Sequence, residues 1–140
     1  MGRQIFVNLP VRDLSKSVAF FQALGFQFDP RFTSDQSACM VITEGSIYAM
    51  FLSHEYFQTF TSKHITDATT STEVLIALSC ETRHEVDDLV AKAVAAGGAI
   101  ARAVNDHGFM YDHAFTDLDG HTWELAYMDM SGMPSESEPS

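Results

Sequence analysis

Asp117-Leu118-Asp119-Gly120-His121-Thr122-Trp123-Glu124-Leu125 is a strand-breaking turn followed by a half-polar strand. Asp-Gly supplies the positive backbone dihedrals that a tight hairpin needs. Behind the turn, Trp123 and Leu125 fall on one face of the strand, with Thr122 and Glu124 on the other. A carboxylate thus sits mid-strand between large apolar residues. Glutamate is rarely buried without a partner, so Glu124 faces either water or a cavity. In a cavity it meets a ligand, a proton or a metal.

Working outward, the same plan occurs twice. Ile5 to Val11 is β-like, and Asp13 caps a helix carrying Leu14, Val18 and Phe21 that Gly25 ends. Phe26 to Phe32, Ala38 to Thr43 and, after Glu44-Gly45, Ile47 to Ser53 read as three strands. Glu73 to Cys80 opens the second half. Thr82-Arg83-His84-Glu85 is a capping box, with Glu85 reaching back to the cap. Val86, Leu89, Val90 and Ala93 form a buried stripe that Gly97-Gly98 closes. Ala99 to Val104, Tyr111 to Phe115 and Thr122 to Tyr127 complete the set. The expected fold is α+β: two βαβββ modules, 4–53 and 73–128, in one domain spanning 1–130. Each sheet covers its helix side and leaves the other side concave, and two such sheets enclose a cavity.

The linker, 54–72, is long for a compact domain, and such loops tend to be lids or binding segments. Phe57 and Phe60 suggest one helical turn packed on a neighbour. Residues 131–140, with Pro, Ser and Glu, read as a disordered tail.

The bulk numbers narrow the function. A chain of 140 residues, 46% apolar, is one domain with room for a core. Acidic residues outnumber basic ones 19 to 8, for a formal charge of −11. Nucleic acid and anionic membranes are therefore excluded as partners. No signal-peptide core or membrane-length apolar run occurs, and the expected compartment is cytoplasmic. Cys39 and Cys80 lie apart in apolar runs and read as buried free thiols.

The doubled order, the opening VNLPVRDLSKSVAFFQALGF, the repeat start VLIALSC and the closing FTDLDGHTWEL together resemble the vicinal oxygen chelate superfamily. That family includes glyoxalase I, bleomycin-resistance proteins and extradiol dioxygenases. The resemblance covers residues 4–128 and is greatest to bacterial predicted lactoylglutathione lyases. It implies a homodimer and four side chains around one divalent metal. Carried over residue by residue, those positions are Phe6, Phe51, Leu75 and Glu124. Phe and Leu have no lone pair to give, and a catalytic metal needs about three protein ligands. The expected cofactor set is therefore empty, and with the metal goes the Lewis acid for lyase or dioxygenase chemistry. Glu73 shares the face of Leu75 and is the nearest alternative ligand.

Glu124 then has three readings: a general base with catalytic duty, a hydrogen-bond anchor for a ligand, or a structural partner of an Arg or His. Phe6, Asn8, Phe51, Leu75, Glu73, Tyr111, His113 and Thr122 are the expected ligand-binding residues. Of the six histidines, His54, His64 and His84 read as surface residues, His107 as a turn residue and His121 as an exposed strand start. His113, mid-strand beside Asp112, lies closest to the cavity. The pocket so formed suits a small apolar or aromatic molecule. The competing reading is a metal-dependent glyoxalase I-like lyase or dioxygenase with ligands at shifted positions, such as Glu124 with His113 or Glu73.

Overall fold

In the computed structural model, which describes residues 2–129 and 131, the first half runs β1 (Ile5–Val11), α1 (Leu14–Ala23), β2 (Gln27–Asp29), β3 (Ser37–Thr43) and β4 (Ile47–Ser53). A short helix α2 (His54–Phe57) and a 3-10 turn, Gln58–Phe60, open the linker. The second half repeats the order with β5 (Leu75–Cys80), α3 (Arg83–Ala95), β6 (Ala99–Asp106), β7 (Met110–Thr116) and β8 (Thr122–Met128). Each half makes its own four-stranded sheet, in the orders β1-β4-β3-β2 and β5-β8-β7-β6. In both, the first strand lies parallel to the last and the other pairs are antiparallel. This is the α+β, doubled βαβββ fold that the sequence implies. The tail from 132 lies outside the described residues, and no described helix is long and apolar enough to cross a membrane.

The helix ends follow their capping residues. The Asp13 carboxylate accepts the N–H of Lys16 at 3.2 Å, and Gly25 at φ +101° reverses the chain after α1. Thr82 accepts the N–H of Glu85 at 3.0 Å. Glu85 reaches back to the N–H of Glu81 at 2.7 Å, one residue beyond the cap itself. β2 is shorter than expected because Pro30 has no N–H to give. The chain there turns into a 3-10 helix, Pro30–Phe32, capped by Asp29.

The Asp-Gly turn is also wider than the tight hairpin expected. Only Gly120 takes a positive φ, at +88°, and the turn spans 117–121, with Asp117 N–H donating to the His121 carbonyl at 3.0 Å. The longer loop frees its acids for other work. Asp117 accepts N–H groups from Asp119, His121 and the Trp123 indole, each at 3.0 Å. Asp119 reaches the other module, accepting the Arg12 backbone N–H at 2.9 Å and the Ser17 hydroxyl at 3.3 Å. The His121 ring donates from Nε2 to the Pro10 carbonyl at 2.8 Å. The turn is thus a latch between the entry to α1 and the start of β8.

One core joins the helix-facing sides of both sheets. Leu9, Val11 and Phe51 of the first sheet and Phe115, Trp123 and Leu125 of the second pack with Phe20, Phe21, Val86 and Val90. The Phe21 ring lies 4.9 Å from that of Phe51 and 5.1 Å from that of Trp123. Burying a side chain of this kind stabilises by about 1.5–3 kcal/mol. Cys39 and Cys80 are buried free thiols, and burial pushes the Cys80 thiol up to about 11. The opposite faces of the sheets stay open, with Phe6 46% and Leu75 56% exposed.

Candidate functional site

Strand register decides which expected residues reach the open faces. β1 pairs with β4 through Phe6–Tyr48, Asn8–Met50 and Leu9–Phe51. β5 pairs with β8 through Leu75–Thr122 and Ala77–Glu124. Paired residues share a face, so Phe6, Asn8, Leu75, Thr122 and Glu124 lie on open faces as expected. The Phe6 ring stacks on Tyr48 at 4.9 Å.

Three expected residues lie elsewhere. Phe51 is fully buried against Phe21 and Trp123, so it belongs to the core and not to a cavity. Its neighbour Met50 takes the open face, with a thioether and no nitrogen or oxygen donor. Tyr111 packs toward α3, where its hydroxyl donates to Asp87 and its ring sits 4.9 Å from the Arg83 guanidinium. His113 pairs with Leu125, a core residue, and so shares the helix-facing side.

Glu124 has a partner that sequence reading missed. Nη2 of Arg102 lies 3.3 Å from its carboxylate and 2.6 Å from that of Asp112. Asn105 donates to the same Asp112 oxygen at 3.3 Å, and Nη1 of Arg102 donates to the Ala103 carbonyl at 3.2 Å. All three charged residues are at least partly sheltered: Arg102 33%, Glu124 25% and Asp112 9% exposed at the side chain. The carboxylate therefore has an arginine beside it, the arrangement that the third reading of Glu124 describes. A signal existed in the sequence: Arg102 is the one charged residue in Ala99-Ile100-Ala101-Arg102-Ala103-Val104.

These donors do not fit a divalent cation. Phe6, Met50 and Leu75 offer no oxygen or nitrogen, and Glu124 already has a guanidinium beside it. Among the described residues no cluster of three or more His, Cys, Asp or Glu could hold a metal.

A half-open hollow lies beside these faces, where the linker crosses the free edge of β1. A pocket of about 620 Å³ is lined by Asn8 and Pro10 of β1, Glu73, Thr122 and the linker residues Phe57, Phe60, Lys63 and His64. Of the expected ligand-binding residues, this brings together Asn8, Glu73 and Thr122. The helical turn expected at Phe57 and Phe60 forms, with Phe60 edge-on to Tyr56 at 5.1 Å, yet Phe60 remains 68% exposed.

The linker wall is a built structure. The Gln58 amide donates to the carbonyls of Thr61 at 2.8 Å and Lys63 at 2.9 Å. Asp67 accepts the Thr69 N–H at 3.0 Å and its hydroxyl at 2.6 Å. Gly120 backs against this wall so closely that a Cβ there would meet the Ala68 backbone at 2.8 Å. His64 and His121, read from sequence as surface residues, both line the pocket.

A model of the Glyoxalase/Bleomycin resistance protein/Dioxygenase superfamily matches residues 3–125. No curated protein matches the chain. A hypothetical protein from S. aureus is 31% identical, with a TM-score of 0.75, over 91% of this chain and 94% of that one. A glyoxalase/bleomycin resistance protein/dioxygenase family enzyme from Burkholderia phytofirmans is 21% identical, with a TM-score of 0.75, over 91% of this chain and 99% of that one. The fosfomycin resistance protein FosX from Listeria monocytogenes is 20% identical, with a TM-score of 0.64, over 91% of this chain and 93% of that one. The last two show a shared fold.

Proposed function

The chain belongs to the Glyoxalase/Bleomycin resistance protein/Dioxygenase superfamily, and from that premise we propose that it binds a small apolar or aromatic molecule without a divalent metal. The observation that carries this reading is the Arg102 guanidinium between Glu124 and Asp112. At the position where the resemblance places a metal-binding carboxylate, a permanent cation is already supplied by the chain. Of the other three positions, Phe6 and Leu75 present hydrocarbon and Phe51 lies in the core. The pocket beside them has the size of a small-molecule site, and most of its exposed lining is apolar.

The same surfaces favour a homodimer. β1 and β5 are edge strands, and Ile5, Phe6, Val74 and Leu75 at their starts are 46–56% exposed. Such edges pair or are covered in stable proteins. A second copy covering them would complete a cavity that one chain leaves open.

Metal analysis of protein purified without chelators tests the metal-free reading. The expected content is far below one metal per chain and unchanged in Glu124→Ala. Near-stoichiometric nickel, zinc, iron or manganese that disappears in that variant would overturn it, as would turnover of the methylglyoxal–glutathione hemithioacetal. A thermal-shift screen should favour planar aromatic compounds over small aliphatic acids, and an absence of preference counts against the ligand class.

A further inference from the structure

We infer that the pocket beneath the linker takes an aromatic monocarboxylate, its ring system against Phe57 and Phe60 and its acid group at Lys63. This rests on the small-molecule reading above and adds the polar half of the ligand.

The first observation concerns charge. The chain carries 8 basic residues against 19 acidic ones. Among the described residues, Arg12, Arg31, Arg83, Lys92 and Arg102 each have a carboxylate within ion-pair distance. Lys63 has none, and neither do Arg3 and Lys16, but of these three Lys63 is the one that lines the pocket. It lines the pocket and so lies open to an anion from outside.

The second observation is that Lys63 is held in place. Its carbonyl accepts from the Gln58 amide at 2.9 Å, and its N–H donates to the Thr61 hydroxyl at 3.1 Å. The loop therefore fixes the backbone from which the Lys63 side chain extends. Only the side chain is left for binding to order.

The third is the company it keeps. Phe57, Phe60, Ile65 and Val74 give the pocket its apolar wall. A volume of about 620 Å³ admits a bicyclic aromatic body. His64 adds a second nitrogen donor beside Lys63, while Glu73 lines the same pocket as an acid. One ammonium, one nearby carboxylate and a net charge of −11 suit a single negative charge and oppose a dianion such as a phosphate monoester.

The test uses the full chain and two probes of nearly equal shape, naphthoate and its neutral carboxamide, followed by calorimetry. Wild type should bind naphthoate on the order of tenfold more tightly than the amide, as expected for one charge-assisted contact. Lys63→Met should abolish that preference and leave amide affinity unchanged. Phe60→Ala should weaken both probes. Both side chains are exposed, so melting temperatures near wild type will show that the variants fold. Equal affinity for acid and amide in wild type, or a preference that survives Lys63→Met, overturns the inference and leaves the small-molecule reading standing. Failure of both probes to bind wild type overturns the two together.

Discussion

Asp117 shows how one residue can hold a turn and also tie it to pH. Its side chain accepts three N–H groups and is almost fully buried. Desolvation pushes its carboxyl above the ordinary 3.8, more than the facing His121 and the three N–H donors pull it down. The other charged groups nearby are Asp119 and Arg12, which pair with each other. For an acid whose folded value is raised, the stabilising contribution is full below the unfolded pKa and is lost as pH rises through the folded one. Asp117→Asn keeps the acceptor that Asp119 and His121 use, but it sets an NH2 against the Trp123 indole. The variant should therefore melt below wild type, by an offset that does not itself depend on pH. The informative quantity is the difference in Tm between variant and wild type from about pH 3.5 to 7. It should move in favour of the variant as pH rises. A flat or falling difference would show that burial does not raise this carboxyl.

Among the elements, what the sequence makes legible is what neighbouring residues decide. Asp13, Gly25 and Thr82 mark helix ends because a cap needs only residues three or four positions away. Face assignment is harder. β4, Ile47–Ser53, is apolar almost throughout, so no alternation tells which side Phe51 takes, and a one-residue slip reverses the face. β6 hides Arg102 differently, because register shifts on either side of it break the alternation. The linker was readable as a long loop with aromatic residues, but its function as a pocket wall rests on contacts far away in sequence. Gly120 against Ala68 is one of these. Gly120→Ala should cost stability twice, through φ +88° and through a Cβ 2.8 Å from backbone. Strained αL sites and overpacked contacts each cost about 1–3 kcal/mol. The expected loss is about 2–6 kcal/mol by urea unfolding. Because the linker must retreat, naphthoate affinity should fall as well. A variant with wild-type affinity would mean that the turn does not position the wall.

At the scale of the molecule, the doubled module was legible because each half repeats the same local signals. The latch between the halves was not, since His121 and Pro10 stand 111 residues apart. The same separation of scales bears on assembly. Within one chain, the core takes up the helix-facing sides of both sheets, and among the described residues nothing covers the open face of β5. Its exposed side chains are Leu75, Ala77 and Ser79, with Val74 just before the strand. A charged, water-facing strand would be expected there if the face worked alone, because solvated sheet faces alternate polar outward. Instead the residues are apolar or small, as at an interface core. Sedimentation equilibrium should therefore report a dimer at micromolar concentration. Leu75→Glu should shift it toward monomer without lowering monomer stability, since the side chain is 56% exposed in the single chain. Two carboxylates brought together at a symmetric contact repel, and each must also be desolvated. A wild-type chain that sediments as a monomer, or a Leu75→Glu chain that still dimerises as tightly, would place the apolar edge outside any interface.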